Sequence, residues 1–249
     1  MYELKSLGGI SNNVDKYGGK AVYLHKLVKH SFSVPFGIVI PSNLFQDYKN
    51  ETLEESTFDN VVEQISNIFL KNNKRFIFRS SANIENSDEY SSAGVFSSFI
   101  YDSRISIKEH IKKVWGSSQD VYSNNYFDLI EIDKDNFMMG IIVQEYVEGN
   151  LTLLIQSYDI INDRLQLLLE YTTNGVSCIV DGTINADLLY INYEGQIVEG
   201  EGCDLLSTGI LQQIVTDCKK MEHLFNSHVE VEAQILENTI YYLQVRKLL

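Results

Sequence analysis

The chain has 249 residues, 44% of them hydrophobic and 22% charged, an ordinary globular composition at a length that allows one large domain or two lobes. Its 20 basic and 34 acidic residues leave a net charge of −14, which argues against nucleic acid or an anionic membrane as partner, since both need a basic footprint. No apolar run is long enough for a transmembrane helix, Met1-Tyr2-Glu3-Leu4-Lys5-Ser6 has no signal-peptide core, and Cys178, Cys203 and Cys218 lack metal-ligand spacing, so a cytoplasmic protein with reduced thiols is expected.

Residues 19–30 read as a helix with Val22, Leu24, Leu27 and Val28 on its apolar stripe. Pro35 and Pro41 bracket a buried strand at 36–40, and Ser42 is placed to cap a following helix. Val61, Val62, Ile65, Ile68 and Phe69 recur at helical spacing across 58–70. A short strand is predicted at 75–79, with Phe76 and Phe78 on one face and Arg79 at its end. A second clear helix spans 105–115, and 138–147 has strand length and β-branched content. Strands at about 151–157, 165–171, 176–181 and 187–192, punctuated by Asn162-Asp163, Asn174-Gly175 and Glu194-Gly195, suggest an antiparallel meander. Ser207 or Thr208 opens a helix through Phe225, and a hairpin closes the chain. Helices concentrate in the first half and strands in the second, an α+β layout of a helix-rich lobe (1–135) and an antiparallel-sheet lobe (136–249), split near Asp133–Asn136.

Five segments carry candidate chemistry. Gly18-Gly19-Lys20 opens the first helix, where an N-terminus attracts anions. It is no P-loop, because Val14 and Ala21 stand where that motif needs Gly and Ser or Thr, and by itself it also reads as an ordinary helix start. Arg79-Ser80-Ser81-Ala82 offers a guanidinium for bidentate phosphate contact, and Ser91-Ser92-Ala93-Gly94 offers a small-residue flap or a plain serine-rich loop. Gln144-Glu145-Tyr146-Val147 ends a strand that is either a core strand or an adenine seat. In the last hairpin, Glu237-Asn238 is the turn, which brings Glu232 near Gln244 with Arg246 two residues on. A carboxylate, an amide oxygen and a guanidinium suit a magnesium-phosphate site, the oxygens for a hard cation and the planar fork for phosphate; a solvated edge hairpin is the other reading. None of the five histidines has a catalytic setting.

In order along the chain, these segments resemble the ATP-binding domain of the pyruvate phosphate dikinase and phosphoenolpyruvate synthase family, a branch of the ATP-grasp fold that also includes rifampin phosphotransferase and a glutamine kinase. The matches are Gly18-Gly19-Lys20-Ala21 with Val34-Pro35-Phe36-Gly37-Ile38, Arg79-Ser80-Ser81-Ala82 with Glu85-Asn86, Ser92-Ala93-Gly94-Val95-Phe96, Lys113-Val114-Trp115, Val143-Gln144-Glu145-Tyr146-Val147, and Val231-Glu232 with Gln244-Val245-Arg246. The resemblance implies a two-lobed ATP-grasp-like α+β domain that binds ATP and Mg2+ between its lobes and passes a phosphoryl group onward. Lys20, Arg79 and Arg246 would contact the phosphates and act catalytically, and Glu232 and Gln244 would hold the magnesium. Ser92, Ala93 and Gly94 would form the flap, and Gln144, Glu145, Tyr146 and Val147 would line the adenine pocket. Tyr171-Thr172-Thr173-Asn174-Gly175 departs from the family's Gly-Leu-Gly-Glu loop. No segment resembles the family's phosphohistidine domain, so the acceptor is expected to be a histidine on a separate protein or domain, or a small molecule. The alternative is a non-catalytic nucleotide-binding regulatory module.

Overall fold

The computed structural model describes residues 2–85, 96–123, 136–173 and 186–248. The chain divides into two compact units, one of residues 1–29 and 35–146, the other of 30–34 and 147–249.

The first unit is built on a five-stranded antiparallel sheet of β1 (Lys5–Ser6), β2 (Gly37–Ile40), β3 (Phe76–Ala82), β4 (Ser98–Ile100) and β5 (Met139–Glu145), in the order β1-β2-β5-β3-β4. Its helices are α1 (Val14–Tyr17), α2 (Gly19–Lys29), α3 (Ser42–Lys49), α4 (Glu55–Ile65) and α5 (Ile107–Ser123), with a π-helical turn, Ser66–Leu70, continuing α4. Strand alternation sorts this sheet into two faces. Phe76 and Phe78 of β3, Met139, Ile141 and Val143 of β5, and Ile38 and Ile40 of β2 join one core with Phe45, Phe58, Ile65, Ile111 and Trp115. Each such side chain, fully buried, contributes about 1.5–3 kcal/mol, which is why the amphipathic helices settle there. The other face carries Ile77, Arg79 and Ser81 of β3 beside Gly140, Ile142 and Gln144 of β5. There α2 lies against β3 and α1 against β5.

The second unit holds a six-stranded antiparallel sheet, order β11-β10-β6-β7-β8-β9: β6 (Leu151–Gln156), β7 (Leu167–Thr172), β8 (Asp187–Ile191), β9 (Ile197–Gly200), β10 (Val229–Leu236) and β11 (Thr239–Lys247). One long helix, α6 (Thr208–Phe225), is capped by Ser207, whose side chain accepts from Ile210 N–H, and ends on left-handed Asn226. It buries Ile210, Leu211, Ile214, Val215, Cys218, Met221 and Phe225, and packs on β10, where Val229, Val231, Ala233 and Ile235 are buried in turn. Tyr242 of β11 donates from its hydroxyl to Asp217 of α6 at 2.7 Å.

Several sequence expectations shift. The division falls after Tyr146, not near 133–136, because β5 pairs along its whole length with β2 and β3 of the first sheet. In the first unit, the strands expected at 36–40 and 75–79 are joined by β1, β4 and β5 in one five-stranded sheet. Arg79 is inside β3, not at a strand end. Ser42 is the first helical residue, not the cap, and its hydroxyl donates to the Asp15 carbonyl. The strand predicted at 176–181 lies outside the described residues, and β9 adds a strand that the meander reading did not contain. No helix among the described residues is long and apolar enough to cross a membrane.

Candidate functional site

In the first unit, Gly18 turns the chain between α1 and α2 at φ +80, and a Cβ there would lie 1.8 Å from the Ser81 carbonyl oxygen. Only glycine allows this approach of a helix start to a strand. Gly140 serves the same contact from β5, since its Cβ would lie 2.9 Å from the Tyr17 carbonyl oxygen. The approach is fastened by Ala21 N–H, which donates to Ser81 Oγ at 2.9 Å. Lys20 is thereby held in the first turn of α2 against the end of β3. Its ammonium pairs with Glu85 at 3.2 Å, and both side chains are more than nine-tenths buried. The other Glu85 oxygen accepts Ala82 N–H at 2.7 Å.

Arg79 faces the same side of β3 as Ser81 and is also buried. Its Nη1 donates to Gln144 Oε1 at 3.2 Å, and Gln144 Nε2 donates to the Pro35 carbonyl at 3.1 Å. The side chain of Gln144 thus orients Arg79, a role that the sequence reading, which set it in the adenine pocket, did not contain. Glu145 pairs with Lys74 at 3.3 Å, the Arg75 guanidinium lies 4.8 Å from the Tyr146 ring centre, and half-buried Val147 opens the second unit. Ser92, Ala93 and Gly94 lie outside the described residues, as do Asn174 and Gly175.

In the second unit, Glu237 and Asn238 both take positive φ, 50 and 63, as a two-residue hairpin turn requires. The turn pairs Leu236 with Thr239 and so on back to Ala233 with Tyr242; a bulge between Glu232 and Ala233 then shifts the register by one, which sets Glu232 directly opposite Gln244 and Glu230 directly opposite Arg246. Arg246 Nε donates to Glu230 Oε1 at 2.7 Å, and its Nη2 bonds the same oxygen. Gln156 Nε2 donates to the other Glu230 oxygen at 3.2 Å. Through β6, Glu232 is in line with Leu154 and then Glu170 of β7. Burial pushes the Glu170 carboxyl up from its ordinary value, and the Glu230 charge adds to that.

This face therefore carries Glu230, Glu232 and Glu170, with Arg246 paired to Glu230. Glu230 and Glu170 were missed by sequence reasoning. The alternation Val229-Glu230-Val231-Glu232 was a signal for Glu230; Glu170 arrives only through the pairing of β6 with β7. Among the described residues no group of three or more His, Cys, Asp and Glu could hold a metal ion. The cross-strand carboxylate and amide of Glu232 and Gln244 are nevertheless two hard oxygen donors side by side. That donor set fits magnesium, which takes one or two protein oxygens and completes its shell with water and phosphate.

The uncharacterized phosphotransferase YvkC of Bacillus subtilis (strain 168) is 22% identical over 92% of this chain and 33% of its own length, so the chain spans about a third of that relative. Among solved structures, D-alanine–D-alanine ligase from Bacillus anthracis complexed with ATP aligns over 91% of this chain and 53% of its own, at 11% identity and TM-score 0.41. The Helicobacter pylori ligase aligns over 94% and 51%, at 13% identity and TM-score 0.44. The family profile of the pyruvate phosphate dikinase AMP/ATP-binding domain matches residues 53–203, more than half of the chain, and the chain belongs to that family.

Proposed function

We propose that this chain is the nucleotide-binding part of an ATP- and Mg2+-dependent phosphotransferase, passing a phosphoryl group from ATP to a histidine on a separate domain or to a small-molecule acceptor. The observation that carries the proposal is the hairpin register, which sets Glu232 against Gln244 and the Glu230–Arg246 pair one step along. Bound between Glu232, Gln244 and the nucleotide, Mg2+ would neutralise phosphate charge. Arg246 is oriented by Glu230 and Arg79 by Gln144, so each guanidinium is held by a partner within its own unit before a nucleotide arrives. Lys20 adds a third cation at a helix start. Phosphoryl transfer asks little covalent chemistry of a protein, and positioning plus charge neutralisation is what these residues offer. Glu145, Tyr146 and Val147 remain our choice for the adenine side, while Gln144, whose backbone is paired between Gly37 and Ile77 in the sheet, serves Arg79 through its side chain.

The test is incubation with Mg2+ and ATP labelled at the β or γ phosphate, with and without cell extract. ADP or AMP is expected to form in the presence of an acceptor from the extract. Arg246→Ala should abolish that turnover while leaving the fold intact, and unchanged turnover would overturn the site. Tight ATP binding with no turnover under any condition would favour the regulatory module, and no binding at all would reject the nucleotide reading.

A further inference from the structure

We infer that Glu85 is the resident counter-anion of Lys20, the group a nucleotide phosphate must displace or share with to reach the Lys20 ammonium, and that it thereby sets the affinity for ATP. The inference rests on the reading of Lys20 as a phosphate ligand.

Both partners are held by backbone. Lys20 is fixed through Gly18, which only glycine can fill, and through the Ala21 N–H bond to Ser81. Glu85 sits three residues past β3 in a tight turn: its N–H donates to the Ala82 carbonyl at 3.1 Å, and one carboxylate oxygen accepts Ala82 N–H at 2.7 Å. The other oxygen meets the Lys20 ammonium at 3.2 Å, at a site where Lys20 is 7% and Glu85 5% exposed.

A buried ammonium stripped of its counter-charge is strongly destabilising, so the unliganded chain keeps Lys20 charged and in place by means of Glu85. The two groups differ in freedom. The carboxylate is tied to the β3 turn and cannot swing away without breaking its backbone bond. The ammonium has three donors on a flexible stem and can turn one toward a new anion. An incoming phosphate therefore competes with a fixed carboxylate for a mobile cation. Glu85 stabilises the unliganded state and, by the same interaction, opposes binding, as linkage requires. It is a positioning residue and has no contact with the reacting atoms.

The experiment uses the full chain and MgATP, measuring the dissociation constant by calorimetry and the thermal midpoint without nucleotide. Parent, Glu85→Gln, Lys20→Met and the double variant form a cycle. Glu85→Gln is expected to lower the unliganded midpoint yet bind MgATP about tenfold more tightly, an ordinary coupling strength. A purely structural role would instead weaken binding along with stability. In the Lys20→Met background, which should bind MgATP weakly, adding Glu85→Gln should change affinity less than about twofold. Glu85→Asp, which keeps the charge but withdraws it by one methylene, should fall between parent and Gln variant. It carries the test alone if the Gln variant does not fold. Affinity unchanged or weakened in the Glu85 variants, or changed equally with and without Lys20, overturns the inference and leaves the phosphate role of Lys20 intact. MgATP binding in Lys20→Met as tight as in the parent would instead remove the reading on which the inference rests.

Discussion

The two units supply opposite charge by opposite means. In the first, the Lys20 and Arg79 cations are held by contacts between segments far apart in sequence: Ala21 bonds Ser81, Lys20 meets Glu85, and Arg79 meets Gln144. In the second, the Glu230, Glu232, Gln244 and Arg246 set is held within one hairpin by its own register. The second unit has 15 of the 34 acidic residues but only 5 of the 20 basic ones, and three of those acids share one sheet face. The lesson is that the cations of the first unit depend on packing between distant segments, whereas Glu230 and Glu232 share a face by alternation within a single strand.

That contrast can be broken first where it is most dependent on packing. Gly18→Ala adds a Cβ 1.8 Å from a backbone oxygen at a left-handed φ, with no side chain free to give way. A loss of roughly 3 kcal/mol or more in denaturant unfolding of the first unit is expected, together with weakened MgATP binding through Lys20. A variant that unfolds and binds like the parent would show that the helix start is not held as described. The second cluster should be indifferent to this change.

A smaller effect tests what stands behind the hairpin. Tyr242→Phe removes the hydroxyl that donates to Asp217, a buried bond between β11 and α6. Asp217 keeps Lys220 at 3.2 Å, so the loss should be about 1–2 kcal/mol, read as a lower denaturation midpoint with an unchanged slope. No change in midpoint would mean that the hairpin does not draw on this bond.

The smallest effect is one of pH. The folded Glu170 carboxyl is raised above its ordinary value of 4.5 by burial and then by Glu230. The folded state therefore holds this proton more tightly than the unfolded state does. Its contribution to stability is present below 4.5 and is lost as pH rises from there through the raised folded value. Glu170→Gln should flatten that part of the stability–pH curve, compared in urea titrations of parent and variant without nucleotide. A curve of the same slope in both would remove Glu170 from the cluster.

What the sequence determined by itself was local. The alternation in Val229-Glu230-Val231-Glu232 and the turn at Glu237-Asn238 set the final hairpin, but that pattern alone would pair Glu232 with Leu243, and a bulge beyond Glu232 brings Gln244 opposite it instead. The helices α2 and α6 and most of the second sheet were legible for the same reason, since their apolar periods are written in consecutive residues. Tertiary structure alone decided the rest. It assigned Met139–Glu145 to the first sheet, because strand length and apolar content say nothing about which neighbours a strand will pair with. It set Gln144 beneath Arg79, Glu85 beside Lys20 and Glu170 in line with Glu232. Those three partnerships join residues 65, 65 and 62 positions apart in the chain. Contacts of that range depend on the packing of whole elements, which no local pattern of residues encodes.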